Sequence, residues 1–442
     1  MNQKVRVIVG LATLLALSPS AAAGLQQNAP NATEETIVEA VDAGNDSGLS
    51  LLERIVNINS GTMNFGGVRA VGDILRTEFD ALGFQTRWVD GTGFGRSGHL
   101  IAERRGHGPK LLLIGHLDTV FEPDHPFQRF TLLSDTTARG PGIIDMKGGD
   151  VIIVQALKAL AAAGVLDGMS ITVVLHGDEE SSGRPLNLAR RDLIEAARTA
   201  DIAIGFEDGD GNPRTAVVAR RGAGGWVLRT QGTPAHSSQI FKHSVGHGAV
   251  FEAARILEAF RTKLSGEALL TFNPGVAVGG TAVTLDEKEG RGTGFGKTNV
   301  VAEHMIVQGD VRTISTEQLE RTKAAMRAIV EKHLPQTSAE ITFDDGYPGM
   351  APTEGHYRLL RTYSQVSKDL GFGEVTAVDP GSAGAADISF TAGLVSMALD
   401  GLGLSGVDGH TAGETADLRT LPMLTKRAAV LLYRLARSPG TH

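Results

Sequence analysis

The chain has 442 residues, of which 41% are hydrophobic and 21% are charged, so it is long enough for two domains of an ordinary globular protein. Its 42 basic and 50 acidic residues give a formal net charge of −8, which argues against nucleic acid or an anionic membrane surface as a partner. It contains no cysteine, which excludes disulfides and thiolate metal ligands, so any metal must be held by His, Asp and Glu.

The N-terminus has the layout of a secretory signal peptide, predicted to comprise residues 1–23. Lys4 and Arg6 precede an apolar run over 7–17, and small residues lead to an expected cleavage near Ala23. The apolar run is too short to span a bilayer as a mature anchor. We therefore expect an exported protein, periplasmic or secreted, without membrane attachment after cleavage.

Strand patterns alternate with helical patterns through the first half of the chain. Strands are predicted at 84–89, 99–104, 110–116, 170–177 and 201–207, and helices at 49–57, 68–82, 150–164 and 191–200. Residues 26–48 resemble a polar leader ahead of the first packed helix. The alternation is typical of an α/β fold with a doubly wound, mostly parallel sheet, predicted for a catalytic domain over 24–220 and 347–442.

The order of elements changes between residues 221 and 346. The pattern there predicts strand, helix, two strands, helix and strand, with the strands at 224–232, 271–280, 299–313 and 339–346 and the helices at 245–264 and 316–334. This order is that of a ferredoxin-like α+β unit, inserted into the larger domain. An inserted domain creates a cleft, and clefts between domains favour ligand sites.

Two glycine-rich segments imitate nucleotide-binding motifs. The segment GFGRSG at 93–98 matches G-x-G-x-x-G, but a strand rather than a helix is predicted to follow it. The segment GTGFGKT at 292–298 resembles a P-loop, but Arg291 occupies the position of the first glycine. We interpret both segments as loops and expect no nucleotide cofactor.

Acids and histidines occur at or just after the predicted strand ends in five separate segments. Taken alone, an acidic loop is usually a solvated surface and a lone histidine is usually a hydrogen-bonded loop residue. Together, imidazole and carboxylate groups suit zinc, cobalt or manganese, and two close metals would offset the acid cluster. The residues concerned are His116, Asp118, Asp145, Glu179, Glu180, Glu207 and His410.

Three of these segments, GHLDTV, GIIDMKGG and DEESSG, occur in the order found in one known family. The sequence resembles the dinuclear zinc peptidases and deacylases, a family that contains aminoacylase, succinyl-diaminopimelate desuccinylase, peptidase T and glutamate carboxypeptidase. The resemblance covers nearly the whole mature chain and is strongest to the glutamate carboxypeptidase branch. It implies two divalent metal ions, with zinc expected first and cobalt or manganese as alternatives, and a homodimer formed through the inserted domain, which acts as lid.

The resemblance also implies roles for individual residues. Asp145 would bridge the two metals, His116 and Glu207 would complete one site, and Glu180 and His410 would complete the other. Asp118 would orient the imidazole of His116. Glu179, left free beside Glu180, would be the general base that takes a proton from water and delivers it to the leaving amine.

Substrate contacts are implied for residues of the inserted domain. His236 resembles the histidine that, in dimeric members of the family, reaches a neighbouring subunit's site and stabilises the oxyanion. The alternative interpretation of His236 is a histidine in a surface loop. Asn299 resembles a position that holds the substrate's terminal carboxylate, whereas Arg312 has a simpler explanation as the partner of Asp310. Tyr347 stands where glutamate-cleaving relatives are expected to have arginine, and a tyrosine lacks the bidentate charged grip of arginine.

The leading interpretation is an exported, carboxypeptidase-like metallohydrolase of a peptide or N-acyl amino acid amide bond. A deacylase or dipeptidase of the same family is the nearer alternative, and a substrate panel distinguishes them. A non-catalytic binding protein that uses the same cleft is an alternative from another class. A missing ligand or a missing Glu179 would favour that alternative, and none is missing.

Overall fold

The computed structural model describes residues 30–438. The signal peptide predicted for residues 1–23 lies outside the described residues and stays a prediction. Within residues 30–438, no helix combines the length and the apolar character that crossing a membrane requires.

Helices and strands are numbered in chain order. The helices within 30–438 are α1 (Ala32–Val56), α2 (Phe65–Ala81), α3 (Gly148–Ala162), α4 (Leu186–Ala189), α5 (Arg191–Thr199), α6 (Gly248–Leu264), α7 (Thr316–Val330), α8 (Glu354–Asp369) and α9 (Thr420–Arg437). The strands of the first half are β1 (Gln85–Asp90), β2 (Gly98–Arg104), β3 (His107–His116), β4 (Thr131–Ser134), β5 (Thr137–Arg139), β6 (Met169–His176), β7 (Ile202–Gly205) and β8 (Thr215–Ala216). Those of the second half are β9 (Gly222–Gly232), β10 (Thr271–Gly280), β11 (Ala282–Asp286), β12 (Arg291–Phe295), β13 (His304–Thr313), β14 (Thr337–Tyr347), β15 (Thr376–Ala377), β16 (Met397–Leu399), β17 (Gly406–Val407) and β18 (Thr415–Asp417).

The main sheet has the strand order β1-β2-β6-β3-β7-β16. Strands β6, β3, β7 and β16 pair in parallel, whereas β2 is antiparallel to both of its neighbours, so the sheet is mixed with a parallel majority. This confirms the predicted α/β class. The sheet departs from parallel pairing at one edge, where β1 and β2 are joined by a short connection and pair antiparallel, without a crossover helix between them.

Both faces of the main sheet are covered, as a doubly wound arrangement requires. In β3, Leu111 and Leu113 pack into the larger core, while Leu112 and Ile114 pack into a second core on the opposite face. Successive side chains of a strand point to opposite faces, so a strand buried on both sides must be apolar throughout. Helices α1, α3 and α9 contribute to the larger core, and α5 contributes to the second.

The first helix is longer than the sequence indicated. It begins at Ala32, and the interpretation of residues 26–48 as a polar leader is wrong for the described part of that segment. Asn31 and Glu34 form a reciprocal capping box, which satisfies the free N–H groups of the first turn. Ile37 and Val41, four residues apart on one face, are buried against the core.

The inserted unit contains a four-stranded antiparallel sheet with the order β10-β13-β9-β14. Helices α6 and α7 pack on it around Trp226 and Phe260, so the structure has the predicted ferredoxin-like arrangement. Strand β9 begins at Gly222 and β14 ends at Tyr347, while the domain boundaries at 221 and 346 themselves stay a prediction.

The unit also carries a β11–β12 hairpin that was not predicted. The segment 292–298 begins within β12, so its interpretation as a loop is wrong for residues 292–295. The hairpin is supported by a 2.6 Å hydrogen bond between the hydroxyls of Thr284 and Thr293 on opposite strands. The other glycine-rich segment, 93–98, leads into β2 as predicted, although the strand already begins at Gly98, the last residue of the segment.

Candidate metal centre

Three of the predicted ligands meet at the carboxyl edge of the main sheet. His116 is the last residue of β3, Glu207 follows β7, and Asp145 lies in the short turn before α3. His116 Nε2 is 3.1 Å from Asp145 Oδ1 and 3.6 Å from Glu207 Oε1. Parallel strands bring their ends to the same edge, which is where ligands bind in open α/β sheets.

A second group of three shares Asp145. His410 Nε2 is 2.7 Å from Asp145 Oδ2 and 3.2 Å from Glu180 Oε2. In both groups, one ligand atom from each residue lies within 4.8 Å of the others. Asp145 therefore presents Oδ1 to one group and Oδ2 to the other, which is the arrangement expected of a carboxylate that bridges two ions.

The charges at this edge are unbalanced toward the negative. Burial lowers the pKa of His116, but Glu207, Asp118 and Asp145 outweigh it and raise that pKa well above its usual value. Burial raises the pKa of Glu207 well above its usual value, with a further contribution from Asp145. A positive charge at this edge would stabilise the carboxylates in their ionised form.

The residues present fit divalent metal ions. Imidazole nitrogens and carboxylate oxygens are the donors that zinc, cobalt and manganese accept in proteins without cysteine ligands. In addition, Glu180 Oε1 is buried without a hydrogen-bond partner among the described residues. A buried carboxylate oxygen without a donor is costly, and a bound cation would satisfy it.

Asp118 links the first group to the loop that carries the acids. Its Oδ1 lies 3.4 Å from His116 Nδ1, and its backbone carbonyl lies 3.1 Å from the same nitrogen. Its carboxylate also accepts the backbone N–H groups of Glu179 at 3.0 Å and Glu180 at 3.2 Å, and the hydroxyl of Thr62 at 2.6 Å. Asp118 is fully buried and therefore fixes both the imidazole and the acidic loop.

Glu179 is the neighbour of Glu180 on that loop but belongs to neither group of candidate ligands. Burial raises its pKa well above the usual value, as do the charges of Asp387, Glu180 and Asp145, while His116 lowers it. A carboxylate with a raised pKa at the edge of the cluster has the properties of a proton acceptor and donor.

Two features of the site were missed from the sequence. Glu414 is fully buried, and its carboxylate accepts the backbone N–H groups of Gly142, Ile144 and Asp145 at 2.9–3.2 Å. It therefore holds the turn that presents Asp145. The sequence offered one indication that Glu414 belongs to the site, which is its position four residues after His410.

The second missed feature is a buried ion-pair network beneath the acidic loop. Asp178, the first acid of DEE, is not a candidate ligand but pairs with Arg190 at 2.6 Å. Arg190 also pairs with Asp387 at 2.7 Å, and Asp387 contacts His176. Asp387 lies 197 residues from Arg190, and no sequence pattern connects them.

The predicted substrate residues of the inserted unit lie outside the two groups of ligands. His236 and Asn299 are both exposed and lie side by side, because the N–H of Ser237 donates to the carbonyl of Asn299 at 2.9 Å and His236 bridges to Val300. The structure therefore brings these two residues together, but it does not bring them into the ligand cluster.

Arg312 pairs with Asp310 at 3.1 Å, which agrees with the interpretation of Arg312 as the partner of Asp310. Tyr347 is half-buried, and its hydroxyl is 3.1 Å from the backbone carbonyl of Glu179.

The fold and the cluster define the class of protein as a two-domain α/β metallohydrolase. The description "Peptidase family M20/M25/M40" matches residues 112–434, well over half of the chain, and the chain belongs to this family of metallopeptidases.

Carboxypeptidase G2 of Pseudomonas sp. (strain RS-16) is 26% identical over 432 residues, covering 96% of this chain and 97% of the relative. Succinyl-diaminopimelate desuccinylase of Dechloromonas aromatica is 26% identical over 297 residues, covering 65% of this chain and 74% of the relative. The structure of aminopeptidase PepT from Bacillus cereus has the same fold, with a TM-score of 0.71 at 18% identity over 89% of this chain and 99% of the other. The predicted resemblance to this family is confirmed.

Proposed function

We propose that the protein is an exported, carboxypeptidase-like hydrolase of a peptide or N-acyl amino acid amide bond. The observation that carries the proposal is the carboxylate of Asp145, shared by two ligand groups, with Glu179 beside the ligand Glu180. This arrangement supplies positions for two ions and one acid that is free to move a proton. The names of the relatives, a carboxypeptidase and a desuccinylase, support the choice of an amide bond.

His116, Asp145 and Glu207 would hold one divalent ion, and Asp145, Glu180 and His410 would hold the other. When bound, two such ions lower the pKa of a shared water and polarise the substrate carbonyl.

The proton transfers belong to Glu179. Its carboxylate takes one proton from the attacking water as the new C–O bond forms at the amide carbon. It then donates that proton to the leaving nitrogen as the C–N bond breaks, so that a carboxylic acid and a free amine are released. Burial raises the pKa of Glu179 above its usual value, which makes its carboxylate a stronger base toward the attacking water.

His236 and Asn299 are proposed to contact the substrate from the inserted unit. They are neighbours and exposed, which leaves both side chains available to a bound molecule or to a second subunit. We propose a homodimer in which His236 reaches the partner's site and stabilises the oxyanion. Sedimentation that shows only monomer at the concentration of the assay would contradict this part of the proposal.

The decisive experiment is amide hydrolysis by the zinc-loaded mature protein, with a panel of C-terminal dipeptides, folyl-type glutamates, N-acyl amino acids and N-succinyl amino acids. Glu179→Gln should lower turnover by a factor of about 10² to 10⁴ while both metals stay bound. Glu195→Gln, an exposed glutamate of α5, is the matched control and should retain full turnover.

Turnover only of acyl or succinyl amino acids would identify the deacylase alternative. Two bound metals without turnover of any panel member would favour the non-catalytic binding protein. Export is tested separately, because cell fractionation should recover the protein outside the cytoplasm only when residues 1–23 are present.

A further inference from the structure

The hydroxyl of Tyr347 is completely used by groups of the protein. It donates to the backbone carbonyl of Glu179 at 3.1 Å, and it accepts from Arg190 Nη2 at 2.5 Å and from Ser182 Oγ at 3.2 Å. A phenolic hydroxyl has one proton to donate and two lone pairs to accept with. All of its hydrogen-bonding capacity is therefore spent, and none is left for a substrate.

Arg190 is likewise committed to internal partners. It is fully buried, and its guanidinium donates to Asp178 Oδ1 at 2.6 Å, to the Asp178 carbonyl at 3.1 Å and to Asp387 Oδ1 at 2.7 Å. Asp178 and Asp387 are themselves buried, so the positive charge is compensated in place. A buried guanidinium with two carboxylate partners is not available to bind a substrate anion.

These contacts hold the loop that carries the general base from both sides. The N–H of Glu179 donates to Asp118 at 3.0 Å, and its carbonyl accepts from Tyr347. Asp178, one residue earlier, is fixed by Arg190 and accepts the N–H of Gly183 at 2.7 Å. With both neighbouring peptide groups of Glu179 anchored, the direction of its Cα–Cβ bond is set before any substrate arrives.

Tyr347 reaches the loop from the end of the inserted sheet, because it is the last residue of β14. Its ring also lies 5.0 Å from that of Phe390 in a T-shaped contact, which keeps the hydroxyl aimed at Arg190 and the loop. Arg184, which follows the acidic loop in the sequence, pairs with Asp344 of β14 at 3.0 Å. The position of Glu179 is thus tied to the position of the inserted unit.

We propose that Tyr347 and Arg190 are positioning residues for Glu179 and that neither contacts the substrate. This inference rests on the proposed role of Glu179. It gives Tyr347 a role within the protein, in which the hydroxyl fixes the backbone of the residue that moves the proton.

The test compares Tyr347→Phe with Tyr363→Phe in the full zinc-loaded chain. Tyr363 is a buried tyrosine whose hydroxyl interacts with the buried Arg427, so its replacement removes the same atom from a similar setting away from the site. Tyr347→Phe should lower kcat about tenfold or more with KM changed less than twofold, because the lost hydrogen bond loosens the base and not the substrate. Tyr363→Phe should leave both constants unchanged.

Hydrogen exchange gives a readout that needs no substrate. In Tyr347→Phe, the amides of Glu179, Glu180 and Gly183 should exchange about tenfold faster than in the unsubstituted protein, and in Tyr363→Phe they should not. Faster exchange would support the positioning role even if the hydrolase proposal failed for lack of turnover. Unchanged exchange would overturn the positioning role, whatever the activity.

A KM raised tenfold at constant kcat would show that Tyr347 contacts the substrate and would overturn the proposal. Loss of bound metal in Tyr347→Phe would also overturn it, since the residue would then maintain the metal centre and not the base. Arg190→Lys provides a second test, because lysine keeps the charge but its single nitrogen cannot replace the separate Nε, Nη1 and Nη2 donors to Asp387, Asp178 and Tyr347. It should speed exchange at the same amides, whereas Arg427→Lys, which alters a buried arginine bonded to backbone carbonyls, should not.

Discussion

The carboxylate of Glu414 is expected to control metal affinity without touching a metal. Its Oε1 accepts the N–H groups of Ile144 and Asp145, and its Oε2 accepts that of Gly142. In Glu414→Gln only one oxygen remains, so the new amide group must face at least one of these N–H donors. A buried N–H then loses its partner at a cost of about 1 to 3 kcal/mol, and the turn that presents Asp145 is loosened.

The expected result is a loss of metal affinity of about 10- to 100-fold, the range found for partners that orient a ligand. Competition with a chelator measures that affinity, and thermal unfolding of the metal-free protein measures the loss of stability. Glu252→Gln is the matched control, because Glu252 is a fully buried glutamate of the inserted unit that accepts the N–H of Leu334 at 2.9 Å. It should lose comparable stability and keep its metals. Zinc affinity within twofold of the unsubstituted protein in Glu414→Gln would refute the reasoning.

Three further predictions concern other parts of the molecule. Burial lowers the pKa of His99 to about 3. As the pH falls, the histidine is therefore protonated in the unfolded chain before it is protonated in the folded protein. The free energy of unfolding of the metal-free protein should decrease by up to about 4 to 5 kcal/mol between pH values of about 6.5 and 3. Urea unfolding at several pH values measures this loss, and His99→Gln should flatten it. Asp118→Asn should lower kcat about 10- to 100-fold in steady-state assays, because the N–H groups of Glu179 and Glu180 bond to different oxygens of Asp118 and an amide keeps only one of these oxygens. Trp226→Ala should lower the free energy of unfolding by about 3 to 5 kcal/mol in urea titrations, since the indole is buried in the core of the inserted unit.

The sequence was sufficient for the residues whose place follows from the end of a strand. His116 ends one apolar strand and Glu207 follows another, and parallel strands bring their ends to one edge of a sheet, so the proximity of the two residues could be predicted. The structural role of Asp178 could not be predicted, because it depends on Arg190 and Asp387. Those partners are placed by tertiary packing, which leaves no periodic trace in the sequence.

The same limit applies to secondary structure. The start of α1 was missed because its exposed face is polar and its few apolar residues become informative only once the core that receives Ile37 and Val41 is known. The inserted sheet was recovered because strands and helices of that unit alternate with clear periodicity. Its extra hairpin was not, because glycine and threonine dominate β12 and resemble a loop.

The separation of the ligands along the chain has a consequence for folding. The inserted sheet is built from one continuous stretch, whereas the main sheet takes β7 from before that stretch and β16 from after it. Pairing across such a distance carries a larger loop-closure cost, so we expect the inserted unit to form early and the main sheet to close late. His410 follows β17, beyond the inserted unit, so the second group of ligands is incomplete until that part of the chain has been synthesised, whereas the first group needs only residues that precede the inserted unit. Binding of the second metal can then stabilise the fold only after the main sheet has closed, so it would act late in folding.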